Sequence, residues 1–148
     1  MLDAFPGELR LSQGDAPYDI HLSAKNVGFD ILVSVSGGTH AHIGAVALAE
    51  PADAAHPVTG EAKGETKGDG SCVLETKGAT KGAPRVSVLT AYGHKDSVLA
   101  EMFASGLCEK YGVNVCVSAG VHVDGASAEE IALMLKNAEG LLAELLSL

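Results

Sequence analysis

The spacing of apolar residues changes along this chain, and the change limits what it can fold into. Before residue 92 apolar side chains recur mostly with a period of two; beyond it come two helical stretches with a period of about 3.6, separated by one more strand. Residues 19–25 and 30–36 read as strands, the second alternating Ile31, Val33 and Val35 against Leu32, Ser34 and Ser36. Asn26-Val27-Gly28 suits the turn between them, because Asn and Gly tolerate positive φ. Gly37-Gly38 is expected to end the second strand. A third strand then resumes over 42–49, with Ile43, Ala45 and Ala47 on one face.

Strands over 71–76 and 85–91 complete the first part. A helix over 95–111 carries Val98, Leu99, Met102, Phe103 and Leu107 on one stripe, and Gly112 is a natural stop. A strand over 113–118 follows. The last helix starts at Ser127 with Glu130 three residues on, a capping box. Its buried stripe is expected to be Ile131, Met134, Leu135, Ala138, Leu141, Leu142 and Leu145. Hairpins followed by helix, strand and helix predict a two-layer α+β fold. The sheet is mostly antiparallel (mixed), with two C-terminal-half helices packed on one face.

With 148 residues the chain suits a single domain, 1–148, and its 47% apolar content suffices for one core. Residues 51–70 are rich in Pro, Gly and Ala without apolar periodicity and read as a mobile loop. The four-residue repeat EAKG, ETKG, then ETKG, ATKG places Gly too often for a helix. Its second block, 75–82, reads as a Lys/Gly-rich hairpin tip. A formal charge of −9 opposes nucleic acid and anionic lipid, so neither is an expected partner. No apolar run reaches signal-peptide or bilayer length. Cys72, Cys108 and Cys116 show no CxxC spacing and read as small hydrophobes in a reducing, cytoplasmic setting.

Chemistry concentrates in three Gly/His segments. In GGTHAHIG, His40 and His42 share a face if extended, while Gly37, Gly38 and Gly44 let backbone N–H groups approach a ligand. In YGHKD, Gly93, His94 and Lys95 precede a helix start, where free N–H groups and the dipole attract phosphate. The plain alternative is that Asp96 or Ser97 caps that helix. In AGVHVDG, His122 and Asp124 share a face, so the carboxylate could fix the imidazole. Should His40, His42, His94 and His122 converge, a divalent metal is the alternative ligand. No nucleophile elbow, P-loop or dinucleotide fingerprint is present.

These three segments, in this order from about residue 18 to the C-terminus, resemble the LpdD-like prenylated flavin chaperones, which are similar to proteasome assembly chaperone 4. The resemblance implies an α+β fold and a role beside a UbiD-type decarboxylase as helper in delivering or maturing prenylated FMN. The positions that match the family's motifs are Gly37, Gly38, His40, His42, Gly44, Gly93, His94, Lys95, His122 and Asp124. The Lys/Gly repeat and the THAH sequence depart from the family pattern.

The leading expectation is therefore a protein that binds prenylated FMN (or FMN) and assists its delivery or oxidative maturation. His42, His94 and His122 would handle protons; Gly37, Gly38, His40, Gly44, Gly93, Lys95 and Asp124 would bind cofactor. The phosphate is expected at the 93–96 helix start and the rings against GGTHAHIG and residues 121–123. One alternative is an assembly chaperone without cofactor chemistry, and another is a small His-site metal-dependent enzyme. Exposed sheet edges predict a homodimer or larger assembly.

Overall fold

Glycine sets the turns from which the sheet grows. The computed structural model describes residues 5–52, 72–77 and 82–148. Strands β2 (Ile20–Val27) and β3 (Asp30–Gly38) form a hairpin in which Val27 pairs with Asp30. Only Gly28 and Phe29 lie between, and Gly28 takes φ 64, a left-handed value that favours glycine at the first position of a two-residue loop. Strand β1 (Glu8–Gln13) pairs antiparallel with β2. It was not foreseen, although Leu9 and Leu11 alternate there with Glu8, Arg10 and Ser12. The expected strand break at Gly37-Gly38 does not occur. Both glycines stay in β3, paired with Val121 and His122.

The remaining strands are β4 (Ala45–Glu50), β5 (Cys72–Lys77), β6 (Arg85–Ala91) and β7 (Val115–His122). All seven form one sheet in the order β1-β2-β3-β7-β4-β6-β5. Among the described residues only the β3–β7 pairing is parallel, so the sheet is mixed and mostly antiparallel. β5 and β6 pair antiparallel, as the expected hairpin requires. Of the loop expected over 51–70, residues 53–70 lie outside the described residues; of the tip expected over 75–82, residues 78–81 do, while 75–77 belong to β5.

Helices α1 (Ser97–Tyr111) and α2 (Ala128–Ser147) cover one face. Helix α1 lies over β4, β6 and β7, and α2 over β1 and β2. On that face Val33, Val35, Ala45, Ala47, Val115 and Val117 are buried against Phe103, Leu107, Leu141 and Leu145. Alanine on β4 lets α1 approach closely, so a core poor in aromatic rings still packs. Helix α1 ends at Gly112, whose φ of 64 gives the left-handed stop expected from sequence.

Two helix stripes differ from expectation. Val98 on α1 and Ile131 and Leu135 on α2 are exposed at 60%, 48% and 37%. Helical spacing marks an apolar stripe but not where a neighbouring element stops covering it, and these three lie beyond that cover. The capping box is present: Ser127 Oγ accepts from Glu130 N, and Glu130 Oε2 accepts from Ser127 N. Glu130 also accepts from Tyr18 Oη at 2.5 Å, and these bonds hold its carboxyl below the usual range. Ser127→Ala is expected to cost about 1 kcal/mol in chemical denaturation.

Candidate functional site

Strand direction explains why distant segments meet. β3 and β7 are parallel and end together at Gly38 and His122. β6 points the same way, because β4 is antiparallel to both β6 and β7. Residues 39–40, 92–96 and 122–126 therefore leave the sheet at one end, where the 41–44 segment enters β4. Ligand sites favour the carboxyl ends of parallel strands, where loops carry side chains away from the ladder. His40, His42, His94 and His122 all arrive there. Ring centroids are 4.6 Å apart for His42–His94 and 6.1 Å for both His42–His122 and His40–His122.

The imidazoles divide into two clusters, each around one carboxylate. In the outer cluster Asp124 lies between His122 Nε2 at 2.8 Å and His40 Nε2 at 3.2 Å. The His122 hydrogen bond, and then that of His40, holds its carboxyl below the ordinary value, so at neutral pH it is an acceptor. In the inner cluster Asp96 Oδ2 lies 3.2 Å from His42 Nε2 and 3.6 Å from His94 Nδ1, and those two nitrogens are 2.9 Å apart.

Asp96 is the residue that sequence reasoning missed. It occupies the N-cap of α1, but its side chain makes no capping bond. It turns inward instead, only 8% exposed, and its Oδ1 accepts from Val121 N at 2.9 Å. An aspartate just before a helix reads as a cap, and only the end of β4 pairing at Ala119, two residues before Val121, reveals the other role. Helix α1 consequently starts at Ser97, not 95, with no acidic side chain in its first turn.

The glycines serve differently from expectation. Backbone N–H groups of GGTHAHIG are directed to protein acceptors: Thr39 N and His40 N to His122 O, and Gly44 N to Ala119 O. Gly38 N in turn lies 3.4 Å from Asp19 O. A Cβ at Gly38 would overlap the His122 carbonyl, and one at Gly37 would overlap that of Asp19. These positions let backbones approach one another. The 41–44 segment is also not part of the strand expected over 42–49. Gly44 has a local role: a Cβ there would overlap Asp96 Oδ2 and stand 3.0 Å from His42 Nε2.

Beside the histidines opens a groove of about 540 Å³ between the start of α1, the end of β7 and the first turns of α2. Val98, Val121, Val123, Ile131 and Leu135 give it apolar walls. Gly93, His94, Lys95, Asp96 and His122 form its polar end. The profile of the prenylated flavin chaperone LpdD-like domain matches residues 14–68 and 64–148. The chain belongs to this LpdD-like family. No curated protein matches it. Within this LpdD-like chain the two cysteines whose side chains are described lie away from the groove's lining. Burial raises both thiols, Cys108 to about 11 with help from Glu50, which keeps them protonated at neutral pH. No helix among the described residues is long and apolar enough to cross a membrane.

Proposed function

We propose that this LpdD-like protein binds prenylated FMN in the α1–β7–α2 groove and assists its delivery to, or oxidative maturation for, a UbiD-type decarboxylase. The observation that carries the reading is the groove's polarity gradient: exposed aliphatic walls lead to a helix start, a lysine and imidazoles. The residues fit the group. Lys95 beside the α1 start suits a phosphate, with the N-cap Asp96 carboxylate turned to Val121 N and His42 rather than to the first-turn amides. Val98, Ile131 and Leu135 suit an apolar ring system and prenyl carbons, and the volume lies within the range of small-ligand sites.

Prenylated FMN, when bound, would supply the redox chemistry. The chain would bind it, orient it and exclude water from its apolar side. His122 lines the groove and is fixed through Nε2 by Asp124, so it can hold a proton on that atom close to a ligand. The rings were expected to lie on GGTHAHIG, but that segment's amides bond to protein, which favours the helical side of the groove.

Titration with FMN and prenylated FMN tests the reading. Prenylated FMN is expected to bind at micromolar concentration and FMN more weakly, with Lys95→Ala costing about tenfold. No binding of either at about 500 µM would overturn it. The second reading, an assembly chaperone without cofactor, draws support from the uncovered sheet face, where Leu32, Leu48 and Leu89 are exposed. Undiminished capture of a decarboxylase by a variant with His40, His42, His94 and His122 all changed to Ala, together with absent flavin binding, would favour it.

A further inference from the structure

The inner cluster sets two imidazoles and one carboxylate around a common point beside the groove. His42 Nδ1 lies 3.0 Å from the His40 carbonyl oxygen. A carbonyl only accepts, so Nδ1 carries the hydrogen and Nε2 is the ring atom turned to the cluster. His42 Nε2 faces His94 Nδ1 and Asp96 Oδ2. Asp96 Oδ1 is already occupied by Val121 N–H, which leaves Oδ2 for the cluster.

A proton on His94 Nδ1 can bridge to His42 Nε2 across 2.9 Å. Asp96 Oδ2 lies 3.2 Å from the same Nε2, so His42 Nε2, His94 Nδ1 and Asp96 Oδ2, all donor atoms of metal-binding type, lie within 4.8 Å of one another. We propose that His42 Nε2, His94 Nδ1 and Asp96 Oδ2 bind one divalent transition-metal ion of the zinc class.

The geometry suits it. A circle through three atoms separated by 2.9, 3.2 and 3.6 Å has a radius of about 1.9 Å, so an ion slightly above their plane reaches all three at about 2.0–2.1 Å. Two imidazoles and one carboxylate are a borderline donor set, matched to zinc, cobalt or iron rather than calcium or magnesium. The supporting bonds that metal ligands need are present: a carbonyl on His42 Nδ1 and a backbone N–H on Asp96 Oδ1. Three protein ligands leave further positions open toward the groove that His94 and Asp96 also line, where an oxyanion such as phosphate could complete the shell. The four-histidine set expected from sequence is thereby revised: Asp96 enters, and His40 and His122 belong to the Asp124 cluster.

The test uses full-length protein without a histidine tag, stripped with chelator and titrated with Co²⁺ by visible absorption and with Zn²⁺ by calorimetry. One equivalent is expected to bind at micromolar concentration or tighter, with the d–d bands of a low-coordinate cobalt site. His94→Ala, a partly exposed position that can be changed without disturbing the core, is expected to weaken binding by about a hundredfold. His40→Ala is expected to change it less than about threefold. No binding at about 100 µM metal overturns the proposal, as does equal loss in His40→Ala and His94→Ala or none in His94→Ala. Because the probes are bare metal ions, a failure of flavin binding leaves this result readable by itself.

Discussion

Changing both Ile131 and Leu135 to glutamate is expected to weaken prenylated-FMN binding by about a hundredfold while moving the melting temperature by no more than about 2 °C. Both side chains are substantially exposed on α2 and line the groove wall. Burying each beneath a ligand is worth about 1–2 kcal/mol, and the two together account for most of the loss. The new carboxylates add repulsion toward an anionic cofactor at short range. Folding is insulated, because glutamate matches leucine in helix propensity and neither site belongs to the core. Leu141→Ala, on the fully buried side of the same helix, is the converse: about 2–5 kcal/mol of stability lost. Titration and thermal melting on the same samples separate the two effects. A double variant that binds as tightly as the parent would remove the groove from the functional reading.

The same pair shows what was legible in sequence and what was not. Helical spacing identified Ile131 and Leu135 as apolar stripe residues, and that is correct as periodicity. Whether a stripe is buried depends on where the neighbouring element ends, which local spacing does not encode. Likewise Ser127 with Glu130 announced the start of α2, because a capping box is a local device. Asp96 at the start of α1 looked equally local but serves a partner 25 residues away. β1 was missed because it borders only β2, with one half-buried face and weak apolar contrast. The convergence of His40, His42, His94 and His122 follows from the parallel β3–β7 pairing, a long-range choice that no single segment displays.

Gly120→Ala is expected to disturb both histidine clusters at once, although Gly120 contributes no side chain to either. It lies within β7, paired with Ser36, and a Cβ there would overlap the carbonyl of His42 and crowd the amide of Ile43. The obstacle is backbone, so no rotamer change relieves it; the 42–43 segment must move. That segment carries His42 and lies one residue beyond His40, so metal donors and the Asp124 bridge would be displaced together. A stability loss of about 1–3 kcal/mol is expected, with Co²⁺ affinity reduced more than about tenfold. Gly106→Ala on α1 provides the contrast. Its nearest neighbour would be a Leu142 methyl at 3.5 Å, ordinary contact, so the better helix propensity of alanine should raise stability by about 0.5–1 kcal/mol. If Gly120→Ala instead melts and binds cobalt like the parent, the 39–44 segment does not cross β7 at Gly120, and the close approach that assembles the inner cluster is wrong.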